Sequence, residues 1–239
     1  MKDVIEQLKI SNLLENNNEI LYSLLDGEKL QIISENMPSF YSYGKNLDNT
    51  AYISWQFTFS YEQENDFDIM SNAYFECALE LINKCIEDNK DKKLDTWIFP
   101  ILYNISHSLE LKLKSIYLYI QKKLGPSKTN HNWIDLIRDI KEYYIEENRK
   151  EINLKKKTNE QFILSLEISE RFLKDLLSKS EDVTFIRYPI DKKNNEFFYN
   201  KGEENVVIDL ILLRNEFILS YYLLNFIVEM NAEYSSNVN

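Results

Sequence analysis

The two imidazole side chains, His107 and His131, are the chain's most direct candidates for proton transfer. Histidine suits this chemistry because its ordinary pKa lies near neutrality. His107 lies three residues before Glu110 in a stretch with helical spacing, so we interpret it either as a helix histidine bonded to a neighbouring side chain or as a general base. His131 lies at a predicted helix start, where a capping or loop role is favoured over catalysis.

Arg214 is a further candidate, because it lies in the most apolar part of the chain. A guanidinium in such a stretch needs a partner, since a buried unpaired charge is costly. Arg214 and Tyr221 are seven residues apart and share one face of a predicted helix. Arg214 is therefore expected either to bind an anionic ligand or to form a salt bridge with Glu110, Asp209 or another acid.

The sequence contains few of the motifs that other classes of enzyme use. With 4 Gly it has no glycine-rich loop for phosphate groups, and it has no serine nucleophile elbow. Two cysteines and two histidines, far apart in sequence, form no zinc pattern, so we predict neither a metal nor a cofactor. Cys77 and Cys85 are about 12 Å apart along one predicted helix, too far for a disulfide, which favours a reducing cytoplasm.

The net charge of −11 restricts the kind of partner. Proteins that bind nucleic acid mainly through phosphate contacts usually carry a basic surface. Any RNA-binding surface on this chain must therefore be local, or must be supplied by a partner. The negative charge favours solubility, and residues 1–30 lack the apolar core of a secretory signal.

Composition favours a mainly α-helical fold. Leu, Ile, Glu and Lys are abundant, whereas 4 Gly and 4 Pro leave little material for a loop-rich or all-β protein. We predict an N-terminal extension over residues 1–65 and a helical domain over residues 66–239. The extension contains one predicted strand, Ile53–Tyr61, in which aromatic and polar residues alternate.

Helical periodicity divides the second domain. The predicted helices cover residues 66–87, 97–124 and 132–148, a stretch that opens at Thr158, and residues 203–233. Asp95 is the expected N-cap of the second helix, and Thr158 with Gln161 forms a capping-box pattern after a solvated Lys155–Lys157 turn. The inner faces are predicted to carry Met70, Tyr74, Cys77, Ala78, Leu81, Ile82 and Cys85 in the first helix, and Trp133, Leu136, Ile137, Ile140 and Tyr144 in the third.

A small β-hairpin is predicted before the last helix. Its strands are Val183–Pro189 and Glu196–Tyr199, which flank the turn residues Asp191–Asn195. Arg187 lies in the first strand, where it could anchor a ligand, although a surface or interface role is favoured. The apolar stretch Val206–Met230 that follows contains several charged residues, so we interpret it as a buried helix rather than a membrane span.

Three segments of the second domain together resemble the HEPN family of helical domains. The first is residues 100–116, PILYNISHSLELKLKSI, which is similar to the family's long central helix. His107, Glu110 and Lys114 fill the positions of its E-x-x-L-K-like pattern.

The second segment, His131–Trp133 followed by Leu136, looks like the start of the family's next helix. The third begins with residues 185–191, which are similar to an insertion in the defence-associated branch of the family. It continues with Leu213–Asn215, which matches the arginine position in the final helix. The resemblance covers residues 66–233.

The resemblance implies a helical bundle that forms a homodimer, with Arg214, Asn215 and Tyr221 near an RNA phosphate at the dimer cleft. In the family a catalytic His follows the Arg after four to six residues, and it helps to activate the RNA 2′-hydroxyl or to protonate the leaving oxygen. Counted from Arg214, Leu219 takes the place of that His, and Tyr221 takes the place of a Tyr used in one toxin branch. Leucine can do neither step, so the resemblance implies a degenerate nuclease unless His107 substitutes.

Three functions stay open at this point. The missing His and the negative charge favour a non-catalytic HEPN-like module of anti-phage defence or toxin–antitoxin systems, which binds RNA, a nucleotide or a protein. One alternative is an active metal-independent endoribonuclease, and another is a generic helical scaffold protein. The expected partners are a second copy of the chain and a protein of a defence system, with no membrane.

Overall fold

The computed structural model describes residues 51, 63–124, 132–150, 154–180, 183–197 and 206–236. The chain divides into two compact units, Met1–Tyr52 and Ile53–Asn239, and nearly all of the described residues belong to the second. The predicted strand Ile53–Tyr61 and His131 lie outside the described residues. Most of the predicted extension over residues 1–65 also lies outside the described residues, so the boundary of this extension stays a prediction.

The described residues form six α-helices and no strand, which confirms the prediction of a mainly α-helical protein. The helices are α1 (Gln63–Glu87), α2 (Leu94–Leu124), α3 (Trp133–Lys150), α4 (Leu154–Leu176), α5 (Thr184–Arg187) and α6 (Leu210–Ser236). A short 3₁₀ helix, Lys90–Lys92, joins α1 to α2.

The central element is α2, because α1, α3, α5 and α6 all pack against it. Its residues from Ile101 to Ile120 are mostly buried. The helix continues through Pro100, whose carbonyl accepts a hydrogen bond of 2.7 Å from the Asn104 side-chain amide. The bundle is completed by α4, which packs against α3 and α6.

Side-chain caps fix the starts of two helices. The Asn132 side chain accepts from the backbone N–H of Ile134 at 3.0 Å, and Asp209 accepts from those of Ile211 and Leu212 at 2.9 and 3.0 Å. Asn132 therefore caps α3, which begins one residue later than predicted, at Trp133. The predicted start of the last helix at residue 203 is wrong, since residues 206–209 are not helical and Asp209 caps α6.

Two other predicted helix starts are also wrong. Asp95 is not an N-cap, because α2 already begins at Leu94, whose N–H donates to the Asn89 side chain at 2.9 Å. Thr158 lies inside α4, which begins four residues earlier at Leu154. Lysine is a good helix former, so the Lys155–Lys157 stretch continues the helix instead of forming a turn.

The predicted strand Val183–Pro189 does not form. Residues 184–187 make one helical turn, which lets the consecutive residues Phe185 and Ile186 both pack beside Leu102 of α2. A strand would point those two side chains to opposite faces. The turn over residues 191–195 does form, but it carries only an isolated antiparallel bridge between Ile190 and Glu196, so the hairpin is not confirmed.

The last helix is apolar on more than one side. Within the described residues, one stretch, Leu210–Glu233, is long and apolar enough to cross a membrane by length and composition, a test that core helices of soluble proteins also pass. Phe217, Tyr221, Leu224 and Ile227 are buried in the core. Its exposed apolar side chains include Ile211, Leu212, Leu219 and Tyr222.

Candidate functional site

A fully buried lysine, Lys112, lies at the centre of the bundle. Its ammonium group is paired with the Asp68 carboxylate and donates to the side-chain oxygens of Asn72 at 2.9 Å and Asn225 at 3.0 Å. An ammonium group has three donors, so these partners account for all of them. We call Asp68, Asn72, Lys112, Tyr221 and Asn225 the lysine network, which joins α1, α2 and α6.

The lysine network holds Lys112 in a structural role rather than a reactive one. Burial lowers the pKa of Lys112, and the nearby Asp68 carboxylate offsets part of that effect. The ammonium group also lies 4.7 Å from the centroid of the Tyr221 ring, which adds a cation–π contact. Because Lys112 is fully buried and its donors are filled, we interpret it as a structural cation and not as a nucleophile.

Tyr221, predicted as a site residue, belongs to this network. Its ring is buried and stacks on Phe75 of α1, with centroids 3.7 Å apart, and its hydroxyl donates to Asn72. Burial raises the pKa of Tyr221 above the ordinary value for tyrosine. The hydroxyl is therefore held neutral inside the bundle and faces α1.

Arg214 faces the same helix. It is half-buried, and its Nη1 atom donates to the Asn83 side chain of α1 at 3.3 Å. The shared face of Arg214 and Tyr221 is thus the α1-facing side of α6. Glu110 and Asp209, the acids predicted as its salt-bridge partners, are bonded elsewhere. Among the described residues no carboxylate lies within 4.0 Å of Arg214.

The neighbouring predicted residues on α6 point away from this face. Asn215 is exposed, and so is Leu219, the position at which the resemblance to the HEPN family implies a catalytic His. The α6 positions that the resemblance assigns to the arginine motif are therefore split between the interior of the bundle and its surface.

His107 belongs to a different cluster. Its ring is nearly parallel to that of Tyr103, with centroids 5.6 Å apart, and the Tyr74 ring meets it edge-on at 4.4 Å. The Arg187 guanidinium lies 5.5 Å from the Tyr103 centroid. We call Tyr74, Tyr103, His107 and Arg187 the aromatic ladder, which runs across α1, α2 and α5.

An ion pair adjoins the aromatic ladder. Glu110 accepts from Lys114 at 2.7 Å, while its other carboxylate oxygen lies 3.9 Å from Nδ1 of His107. That nitrogen is buried and makes no hydrogen bond among the described residues. His107 as a whole stays accessible, with 22% of its side chain exposed. His107 thus lies beside Glu110, and His107 and Arg187 both contact the Tyr103 ring.

The predicted candidates therefore separate into two groups. Arg214 and Tyr221 face α1 from α6, whereas His107 and Arg187 belong to the aromatic ladder and Glu110 adjoins it. No recorded hydrogen bond, ion pair or ring contact joins His107 to Arg214 or Tyr221 within the described ranges. Among the described residues, the arrangement supplies stacking surfaces and a guanidinium donor, but no assembled pair of nucleophile and base.

A cavity of about 420 Å³ is a separate feature, formed by α2, α4, α5, the segment 206–209 and the start of α6. Its wall is mostly apolar. The lining residues are Leu102, Phe172, Asp175, Leu176, Ser178, Lys179, Phe185, Val206, Val207, Ile208, Asp209, Leu212, Leu213 and Glu216. None of the predicted site residues lines it. The described part of the chain contains no cluster of three or more His, Cys, Asp or Glu residues that could hold a metal ion.

Sequence reasoning missed Lys112 and its three polar partners. One signal was present: Ile105, Leu109, Lys112 and Ile116 follow the spacing of a buried helix face, and all four are buried. A lysine at such a position needs acceptors from other helices, which the chain provides far away in sequence. Comparison with protein-family models, with curated proteins and with solved structures gave no match.

Proposed function

We propose that this chain is a non-catalytic HEPN-like module that binds RNA or a nucleotide within an anti-phage defence or toxin–antitoxin system. The observation that carries the proposal is the state of the motif positions on α6. Tyr221 is buried against Phe75 and bonded to Asn72, while the place of the catalytic His holds an exposed leucine, Leu219.

The buried tyrosine argues against catalysis at these positions. For its hydroxyl to reach an RNA phosphate, Tyr221 would have to leave its stack with Phe75 and its contact with the Lys112 ammonium group. Both contacts would be lost in a buried part of the bundle, where an unpaired polar group is costly. His107 does not fill the gap, because its recorded partners are Tyr74, Tyr103 and Glu110.

A protein partner is the second part of the proposal. Ile211, Leu212, Leu219 and Tyr222 are about half exposed along α6, which favours a second copy of the chain or another protein of the same system covering that side. We propose a cytoplasmic setting without a membrane. Free Cys77 and Cys85 suit a reducing compartment, and Arg214 and Asn225 in the apolar stretch of α6 bond to other helices.

Cleavage of labelled total RNA and transfer RNA by the purified chain tests the absence of catalysis. We expect no cleavage at high protein concentration, and no difference from the variants Arg214→Ala and His107→Ala. Cleavage by the wild type that disappears in either variant would show an active metal-independent endoribonuclease and would overturn the proposal.

The alternative of an active enzyme has one observation in its favour. Arg214 has no carboxylate partner among the described residues, so its charge is available to an anion. The same assay repeated with candidate partner proteins present distinguishes an inert module from a nuclease that needs activation.

A further inference from the structure

We propose that the aromatic ladder binds an unpaired nucleotide, free or within single-stranded RNA, by stacking its base and by holding its phosphate with Arg187. This inference deepens the proposed function, because it names the surface that contacts the ligand. It places that surface on α1, α2 and α5, and the surface includes neither Arg214 nor Tyr221.

The rings of the aromatic ladder are arranged by helix geometry. Tyr103 and His107 are four residues apart on α2, so they share one face of that helix, and their planes differ by 16°. Tyr74 of α1 stands edge-on to both, with interplanar angles of 83°. Tyr74, Tyr103 and His107 are all only partly buried. Their orientation is therefore held by packing while part of their surface stays accessible.

The charge at the aromatic ladder differs from that of the whole chain, which is −11. Arg187 is exposed, and within the described residues its recorded contact is the Tyr103 ring, with no carboxylate inside 4.0 Å. The adjoining Glu110 is bonded to Lys114, so it does not neutralise this guanidinium. An exposed arginine beside aromatic rings and without an acid partner is suited to a phosphate.

The chemistry of the ligand follows from the aromatic rings and from the Arg187 guanidinium. Aromatic faces select a planar, polarisable group, and a guanidinium selects an anion with two oxygens, so a base with its phosphate satisfies both. Bases in a duplex are already stacked on one another, which favours an unpaired nucleotide. The acidic chain disfavours a long phosphate track, so we expect contact with one nucleotide or a short unpaired segment.

Two binding assays on the full chain test this inference. Fluorescence anisotropy with a labelled single-stranded oligoadenylate measures the binding of RNA, and calorimetry with AMP measures the binding of the free nucleotide. We expect binding in at least one of them, weakened about tenfold or more by Arg187→Ala and by Tyr103→Leu, which is the scale of losing one phosphate contact or one base stack. The matched control is Arg171→Ala, which removes an exposed arginine of α4 and should leave binding unchanged.

Thermal melting of each variant separates a binding defect from a folding defect. Arg187 is exposed, so Arg187→Ala should melt like the wild type. For Tyr103, a variant that melts early is replaced by Tyr103→Phe, which keeps the ring and should keep the binding. An abasic oligonucleotide should bind about tenfold more weakly than the oligoadenylate if stacking contributes as expected.

Several results would overturn the inference. They are no binding of either nucleotide source by the wild type, equal binding by Arg187→Ala, an equal loss in Arg171→Ala, or tighter binding of a phosphotyrosine peptide than of any nucleotide. RNA binding that survives Arg187→Ala would overturn this inference and leave the proposed function intact. RNA cleavage by the wild type would overturn the non-catalytic proposed function, and this inference would stand if RNA binding still depended on Arg187.

Discussion

Lys112→Met removes an ammonium group from the centre of the bundle while nearly preserving the length of the side chain. The Asp68 carboxylate would lose its cation, and the oxygens of Asn72 and Asn225 would each lose a charged donor. Methionine fills most of the space of the lysine stem, so the variant tests the charge and its hydrogen bonds more than the packing.

The expected loss follows from burial. Hydrogen bonds to charged groups contribute about 1.5–3 kcal/mol each, but they are not additive. Asp68 is 23% exposed and can recover some hydration, whereas Lys112 is fully buried. We therefore expect Lys112→Met to lower the free energy of unfolding by about 3–5 kcal/mol, the range for breaking a buried charge pair. Such a loss is a large part of the total stability of an ordinary domain.

Urea unfolding followed by circular dichroism measures this change. The matched control is Lys174→Met, which removes a lysine that is 62% exposed and paired with Glu170 on α4, and which should cost less than about 1 kcal/mol. A cycle with Asp68→Asn should give a coupling energy of about 1–3 kcal/mol between positions 68 and 112. A loss in Lys112→Met as small as in the control, or a gain in stability, would refute the structural role of the lysine network.

Three further predictions concern stability at other places. Burial raises the pKa of Tyr144, so the contribution of this side chain to the free energy of unfolding is complete below the ordinary tyrosine pKa of about 10 and is lost as pH rises further. Tyr144→Phe removes the bond to Asn231, but it should reduce the loss of stability at alkaline pH that urea unfolding measures. The bond to Lys174 lowers the pKa of Glu170, so Glu170→Gln should cost about 0.5–1 kcal/mol at neutral pH, and the difference from wild type should vanish in acid as pH falls through that lowered pKa. Asp209→Ala removes the cap of α6 and should cost about 0.5–2 kcal/mol in thermal unfolding, whereas Asp209→Asn should restore most of it.

Amphipathic helices were predictable from the sequence where their apolar residues keep to one face. All five residues predicted for the inner face of α3, from Trp133 to Tyr144, are buried, and the side chain of Asn132 caps the helix as its residue type suggests. The spacing of large apolar residues and one capping residue contains this information locally.

The inner face of α1 was predicted only in part, since Ala78, Ile82 and Cys85 are buried as predicted. Met70 and Cys77 were assigned to it but are exposed, whereas Ser71 and Phe75 are buried. The hydroxyl of Ser71 donates to the backbone carbonyl of Ser108 at 2.7 Å, so a polar residue fills a core position. A pattern that counts only apolar residues cannot identify such a position.

The candidate sites depend on distances between helices, which the sequence does not state. Lys112 and Asn225 meet across 113 residues, and a charged side chain ordinarily indicates a solvated face. His107 and Arg187 were both recognisable as candidates, but their common contact with Tyr103 depends on the helical turn of α5, which had been predicted as a strand.

The two cysteines of α1 allow the local opening of the bundle to be measured chemically. Cys77 is exposed, while Cys85 is 3% exposed and burial raises the pKa of its thiol. An alkylating reagent should therefore modify Cys77 quickly and Cys85 only when α1 detaches from its neighbours. The ratio of the two rates, measured by mass spectrometry, reports the free energy of that local opening. Since α1 carries Asp68 and Asn72, the same ratio would show whether the charge of Lys112 holds this helix in place.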